Sequence, residues 1–93
     1  TVDIIQRRVA EDFGINTQDL KTKKRSKNVV LPRQIAMYIT RELTEMSLPE
    51  IGEFFGGKDH TTILYAYNKI KTELGKNLKL KNHIDKLIQQ IKQ

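Results

Sequence analysis

The sequence predicts an all-α domain of about five to six helices with a helix-turn-helix at its centre, and three observations carry that prediction. Apolar residues recur three and four positions apart along most of the chain. Gly14, Gly56 and Gly75 close the periodic runs, while Pro32 and Pro49 lie near their starts. No stretch alternates apolar and polar residues in the manner of a half-buried strand. At 93 residues the chain suffices for one modest core and is too short for a second, so positions 1–93 read as a single domain.

The elements follow in order. Ile5, Val9 and Phe13 stand four apart behind Asp3, which predicts an amphipathic helix from Val2 to Phe13 stopped by Gly14. Asn16 to Leu20 reads as a short turn or a single helical turn, with Leu20 tucked into the core. Lys21 to Asn28 holds no apolar residue and reads as a loop. The next helix is expected to open near Pro32, because proline suits a first helical turn. Ile35, Ile39 and Leu43 form its stripe, Ala36 and Met46 flank it, and Arg33, Arg41 and Glu45 take the polar face, with the end near Met46. Ser47-Leu48-Pro49-Glu50 is a capping-box signature, followed by a short helix that buries Ile51, Phe54 and Phe55 and stops at Gly56. Asp59 is a natural N-cap for a helix carrying Ile63, Tyr67, Ile70 and Leu74 up to Gly75. Leu80, Ile84, Leu87, Ile88 and Ile91 mark a closing amphipathic helix.

Charge narrows the choice of partner. The formal net charge is +6 and the pI is about 9.7, which favours a polyanion. The charge is also localised. Thr1 to Leu20 is net acidic, every charge from Lys21 to Arg33 is positive, Gln34 to Asp59 is acidic again, and the remainder is basic. A basic block between two acidic stretches reads as a local contact strip. No apolar run reaches membrane-spanning length, no signal-peptide pattern is present, and the absence of cysteine removes any disulfide framework or thiolate zinc site.

The helix from Pro32, the short helix from Ser47 and the helix from Asp59 make a helix-turn-helix whose last member suits a major groove. At its start, Asp59, His60 and Thr61 offer a carboxylate, an imidazole and a hydroxyl that can hydrogen-bond to base edges, and free backbone N–H groups there suit a phosphate oxygen. Helix phasing turns Thr61, Tyr65 and Asn68 away from the core face. Bare capping by Asp59 and a surface role for His60 fit the same residues. Catalysis has least support: no nucleophile stands beside the Asp-His pair, and His83 lies on another helix, which argues against a metal pair. An arginine on the loop Lys23-Lys24-Arg25-Ser26-Lys27 can enter a minor groove while its neighbours meet phosphates. A solvated charge cluster, or a strip for an acidic protein, is the competing reading.

The run Ile51-Gly52-Glu53-Phe54-Phe55-Gly56-Gly57-Lys58-Asp59-His60-Thr61-Thr62-Ile63 resembles the signature of the DnaA family of bacterial replication initiators. Lys24-Arg25-Ser26-Lys27, Leu31 to Tyr38, and Ser47 to Gly52 are similar to that family too; the likeness is weakest in the last helix. It implies a Trp-repressor-like helix-turn-helix domain that binds duplex DnaA boxes at the replication origin; the sequence shows no spare apolar surface helix for a dimer seam, so a monomer on an asymmetric site is expected. In the family's terms, Asp59, His60 and Thr61 read bases in the major groove, Leu48 and Pro49 pack on bases, and Arg25 enters the minor groove. Phosphate contacts fall to Lys27, Arg33, Gln34, Arg41, Lys58 and Thr62. Lys58 stands where the family often has arginine. No Walker-type glycine loop is present, so ATP and its hydrolysis are expected in an upstream ATPase domain outside this chain. The missing initiator Met fits a piece excised from a longer protein, and the resemblance implies a cytoplasmic, nucleoid-associated location.

Overall fold

Every helix except the one from Lys27 begins where a side chain takes up a free N–H group; Ser26, ahead of that helix, makes no such bond. The computed structural model describes residues Thr1–Gln93, with five α-helices, one 3-10 helix and no strand. Thr1 caps α1 (Val2–Phe13), and Gly14, at φ 65°, closes it in the left-handed conformation that glycine tolerates. Asn16 caps a 3-10 helix (Thr17–Lys21) whose Leu20 is fully buried. α2 spans Lys27–Leu43 and α3 spans Leu48–Phe54. Both halves of the expected capping box form at α3: Glu50 N–H donates to Ser47 Oγ at 3.2 Å, and Ser47 N–H donates to Glu50 Oε1 at 2.9 Å. Asp59 caps α4 (His60–Leu74), and Asn77 caps α5 (Leu78–Lys92).

α2 is the central helix. Every residue from Ile35 to Thr40 is buried, because α1, the 3-10 helix, α3 and α4 pack around it. α4 lies against α2 and α3, and α5 closes the far side against α1 and α4. One continuous cluster unites Ile5, Val9, Leu20, Ile35, Ile39, Ile51, Phe55, Ile63, Ile70, Ile84 and Leu87. Polar ties fix the packing. The buried Gln6 donates its Nε2 to the Phe54 carbonyl at 2.8 Å, joining α1 to the end of α3. Tyr67 Oη donates to Glu42 at 2.7 Å and stacks on Tyr38 at 5.2 Å between ring centroids. His83 on α5 pairs with Asp12 on α1.

Four boundaries or faces depart from the expectation. α2 starts at Lys27, so Pro32 is its sixth residue and not a first-turn residue. The proline removes one N–H bond near the helix start, while the buried Val29 anchors the extra turn to the domain. α2 stops at Leu43, short of Met46, because Thr44 turns extended to lead into the Ser47 cap. Phe54, the last residue of α3, is exposed, while Ile51 and, just past the helix, Phe55 bury their side chains. Tyr67 is half-buried, and Ala66 takes the core position between Ile63 and Ile70.

Candidate nucleic-acid interface

The turn between α3 and α4 is built by backbone contact. Gly56 and Gly57 adopt φ 85° and 74°, where a side chain would be strained. Lys58 N–H donates to the Gly52 carbonyl at 2.9 Å. A Cβ on Gly52 would sit 2.0 Å from the Lys58 carbonyl oxygen, so this approach requires glycine. The tight turn delivers the start of α4 to the surface. Asp59, His60, Thr61 and Thr62 are all exposed there.

Asp59 does two jobs. Its Oδ1 accepts the Thr61 N–H at 3.2 Å and lies 2.9 Å from His60 Nδ1. A neutral imidazole that donates Nδ1–H to Asp59 presents Nε2 outward as an acceptor; a protonated one presents a donor. Capping and recognition are therefore compatible in one residue. Tyr65, one turn on, is 63% exposed and extends the same polar surface.

The basic loop faces this helix start. Arg25, Lys23, Arg33, Lys58, Asp59 and Thr62 line one groove of about 420 Å³ between loop and helix. Arg25 and Lys23 are both exposed. Lys24 pairs with Asp19 at 3.1 Å on the outer side.

Arg33 does not lie on a polar face. It is 8% exposed, and its guanidinium donates to the carbonyls of Asp19 at 3.3 Å, Thr22 at 3.1 Å and Lys24 at 2.5 Å. Lys58 is half-buried, and its ammonium donates to Thr22 O at 2.8 Å and Phe55 O at 2.7 Å. Burial holds both groups below their ordinary pKa values; the charges of Arg33 and then Lys23 lower Lys58 further. The sequence carried one clue to Arg33. Val29, Arg33, Ala36 and Thr40 follow one another at four- and three-residue spacing, so this arginine interrupts a buried stripe. The inward role of Lys58 had no such signal, because its acceptors belong to a loop and a turn.

The remaining expected contacts are spread along the same helices. Leu48 and Pro49 form the first turn of α3, Leu48 half-buried against the core and Pro49 exposed. Lys27 is the exposed first residue of α2. Gln34 is half-buried, with Oε1 closed off from solvent and without a hydrogen-bond partner. Arg41 lies outside the groove, its guanidinium carbon 5.7 Å from the Tyr67 ring centroid. No helix is long and apolar enough to cross a membrane.

The family described as "Bacterial dnaA protein helix-turn-helix" matches residues 2–70, from the start of α1 to Ile70 in α4. Over 87 residues the chain is 54% identical to the chromosomal replication initiator protein DnaA of Limosilactobacillus fermentum, covering 94% of this chain and 20% of that protein. It is 56% identical over 87 residues to the protein of the same name from Levilactobacillus brevis, covering 94% of this chain and 19% of that one. The chain thus spans about a fifth of the length of the relatives it matches.

Proposed function

The chain belongs to the bacterial DnaA helix-turn-helix family, and from that premise we propose that it binds duplex DNA sequence-specifically, at DnaA boxes of a replication origin. One observation supports this reading above the others: the basic loop and the exposed start of α4 share a single groove. α4 enters the major groove, where Asp59, His60 and Thr61 meet base edges and Leu48 and Pro49 pack beside them. Arg25 enters the adjacent minor groove. Lys27, Gln34, Arg41 and Thr62 hold register on phosphates, joined by Arg33 and Lys58 through the N–H groups that their carbonyl bonds leave free. The domain acts as a monomer on an asymmetric site, in the cytoplasm on the nucleoid. An upstream ATPase domain, with ATP as its ligand, is its partner within the longer protein, and the domain itself is not catalytic.

A competition between a DnaA-box duplex and a scrambled duplex at physiological salt tests the reading. Preference for the box is expected. With about five to seven phosphate contacts, log affinity should fall against log salt with a slope of roughly −4 to −6. No preference between the duplexes would favour the competing role of the basic strip as a site for acidic proteins, and a flat salt response would argue against a phosphate-contacting interface.

A further inference from the structure

The basic loop and the turn before α4 are distant in sequence, yet one backbone oxygen joins them. Thr22 O accepts Lys58 Nζ at 2.8 Å and Arg33 Nη1 at 3.1 Å. Lys58 also holds Phe55 O at 2.7 Å, so one ammonium spans the loop and the end of α3. Arg33 fixes the loop on either side of Thr22 through Asp19 O and Lys24 O. Gly56 rests on the residue just ahead of the loop, the last of the 3-10 helix: a Cβ there would lie 2.1 Å from Lys21 O. Arg25 is one residue beyond the last clamped carbonyl.

We propose that Lys58 is a positioning residue for minor-groove reading: with Arg33 it clamps the Thr22 carbonyl, so that Arg25 and the start of α4 meet DNA as one rigid unit. The proposal rests on the assignment of Arg25 to the minor groove. A lysine that served only as a phosphate contact would leave its N–H groups toward solvent. Here the carbonyls of Thr22 and Phe55 take two of the three. Burial beside Arg33 lowers the Lys58 pKa, and the carbonyl dipoles offset the cost of holding two cations close together. Lys58 supports Arg25 by removing the freedom of the loop before DNA arrives, and preorganisation of that kind strengthens binding without a new contact.

The test combines loop order in the free protein with a double-mutant cycle on DNA. Lys58→Met keeps the alkyl stem and removes the donors; Lys58→Gln, which keeps an amide donor, is the second variant should the first fail to fold. Backbone amide relaxation should show Lys23 to Ser26 more mobile in Lys58→Met, with α4 unchanged, and Lys58→Arg should restore order. On a box duplex, Arg25→Ala should weaken binding about 10-fold in the native background but only about 2-fold beside Lys58→Met. Lys58→Met alone should lower discrimination at the Arg25 end of the box. Additive losses, an unchanged loop, or an equal loss on every duplex each overturn the clamp and leave Lys58 an ordinary phosphate contact. If the native chain shows no box preference, the DNA-reading assignment fails, and loop order alone then decides whether the clamp exists.

Discussion

Gly56→Ala is the sharpest test of how loop and turn are joined, because its cost separates into two parts that the structure supplies. The first is conformational. At φ 85° an alanine is strained by about 1–2 kcal/mol. The second is steric. The new Cβ would fall 2.1 Å from the Lys21 carbonyl oxygen, a backbone atom at the end of the 3-10 helix that cannot rotate away. Relief needs a shift of about 1 Å in the loop, and overpacking of that kind costs about 1–3 kcal/mol. The sum is about 2–5 kcal/mol. Gly14→Ala supplies the control, since Gly14 has φ 65° with nothing within 4 Å of its Cβ position, so only the first part applies. Urea unfolding followed by far-UV circular dichroism measures both. The expected difference is about 1–3 kcal/mol, and only Gly56→Ala should also weaken box binding, because the shifted loop carries Arg25. Equal losses at the two glycines would refute a rigid junction.

Three further expectations concern the starts of α3 and α4. His60→Ala should cost about 1–3 kcal/mol on the box and much less on a scrambled duplex; equal losses in the two titrations would make His60 a positioning group and not a reader. The Glu50 carboxyl sits below its ordinary pKa, chiefly through the bond from the Ser47 N–H. A depressed carboxyl adds stability that is present above its unfolded pKa and disappears as pH falls through the folded one. Denaturation of the native chain and Glu50→Gln across that acid range should therefore show a gap at neutral pH that closes in acid, and a gap independent of pH would contradict the assignment. Ser47→Ala should cost about 0.5–2 kcal/mol at neutral pH, measured the same way.

What the sequence made legible was whatever local chemistry decides. The Ser47 box, the Asp59 cap, the Gly14 stop and the burial of Leu20 all follow from a few neighbouring residues, and all are present. The exposed Asp59-His60-Thr61 start followed from helix phasing. The misplaced start of α2 had a different origin. Proline prefers a first turn, but burial of Val29 outweighed that preference and drew the helix back to Lys27. Arg33 was assigned outward because it is charged, and its acceptors are three carbonyls of the 3-10 helix and the loop after it, which no periodicity reveals. Lys58 was hidden for the same reason: its partner, Thr22, lies 36 residues away along the chain. The sequence pattern thus named the residues of the groove, and only the folded chain shows how two of them are engaged inside it.

The bond from Gln6 to the Phe54 carbonyl has a geometric consequence. It fastens the amino-terminal helix, through the buried Gln6, to the end of α3 that leads into the turn before α4. The axis of α1 therefore keeps a fixed bearing relative to α4. On the asymmetric site proposed above, that bearing would become a polarity: the Val2 end would leave every occupied box toward the same neighbour. Reversing a box would reverse the arrow, so a row of such sites would carry direction as well as address.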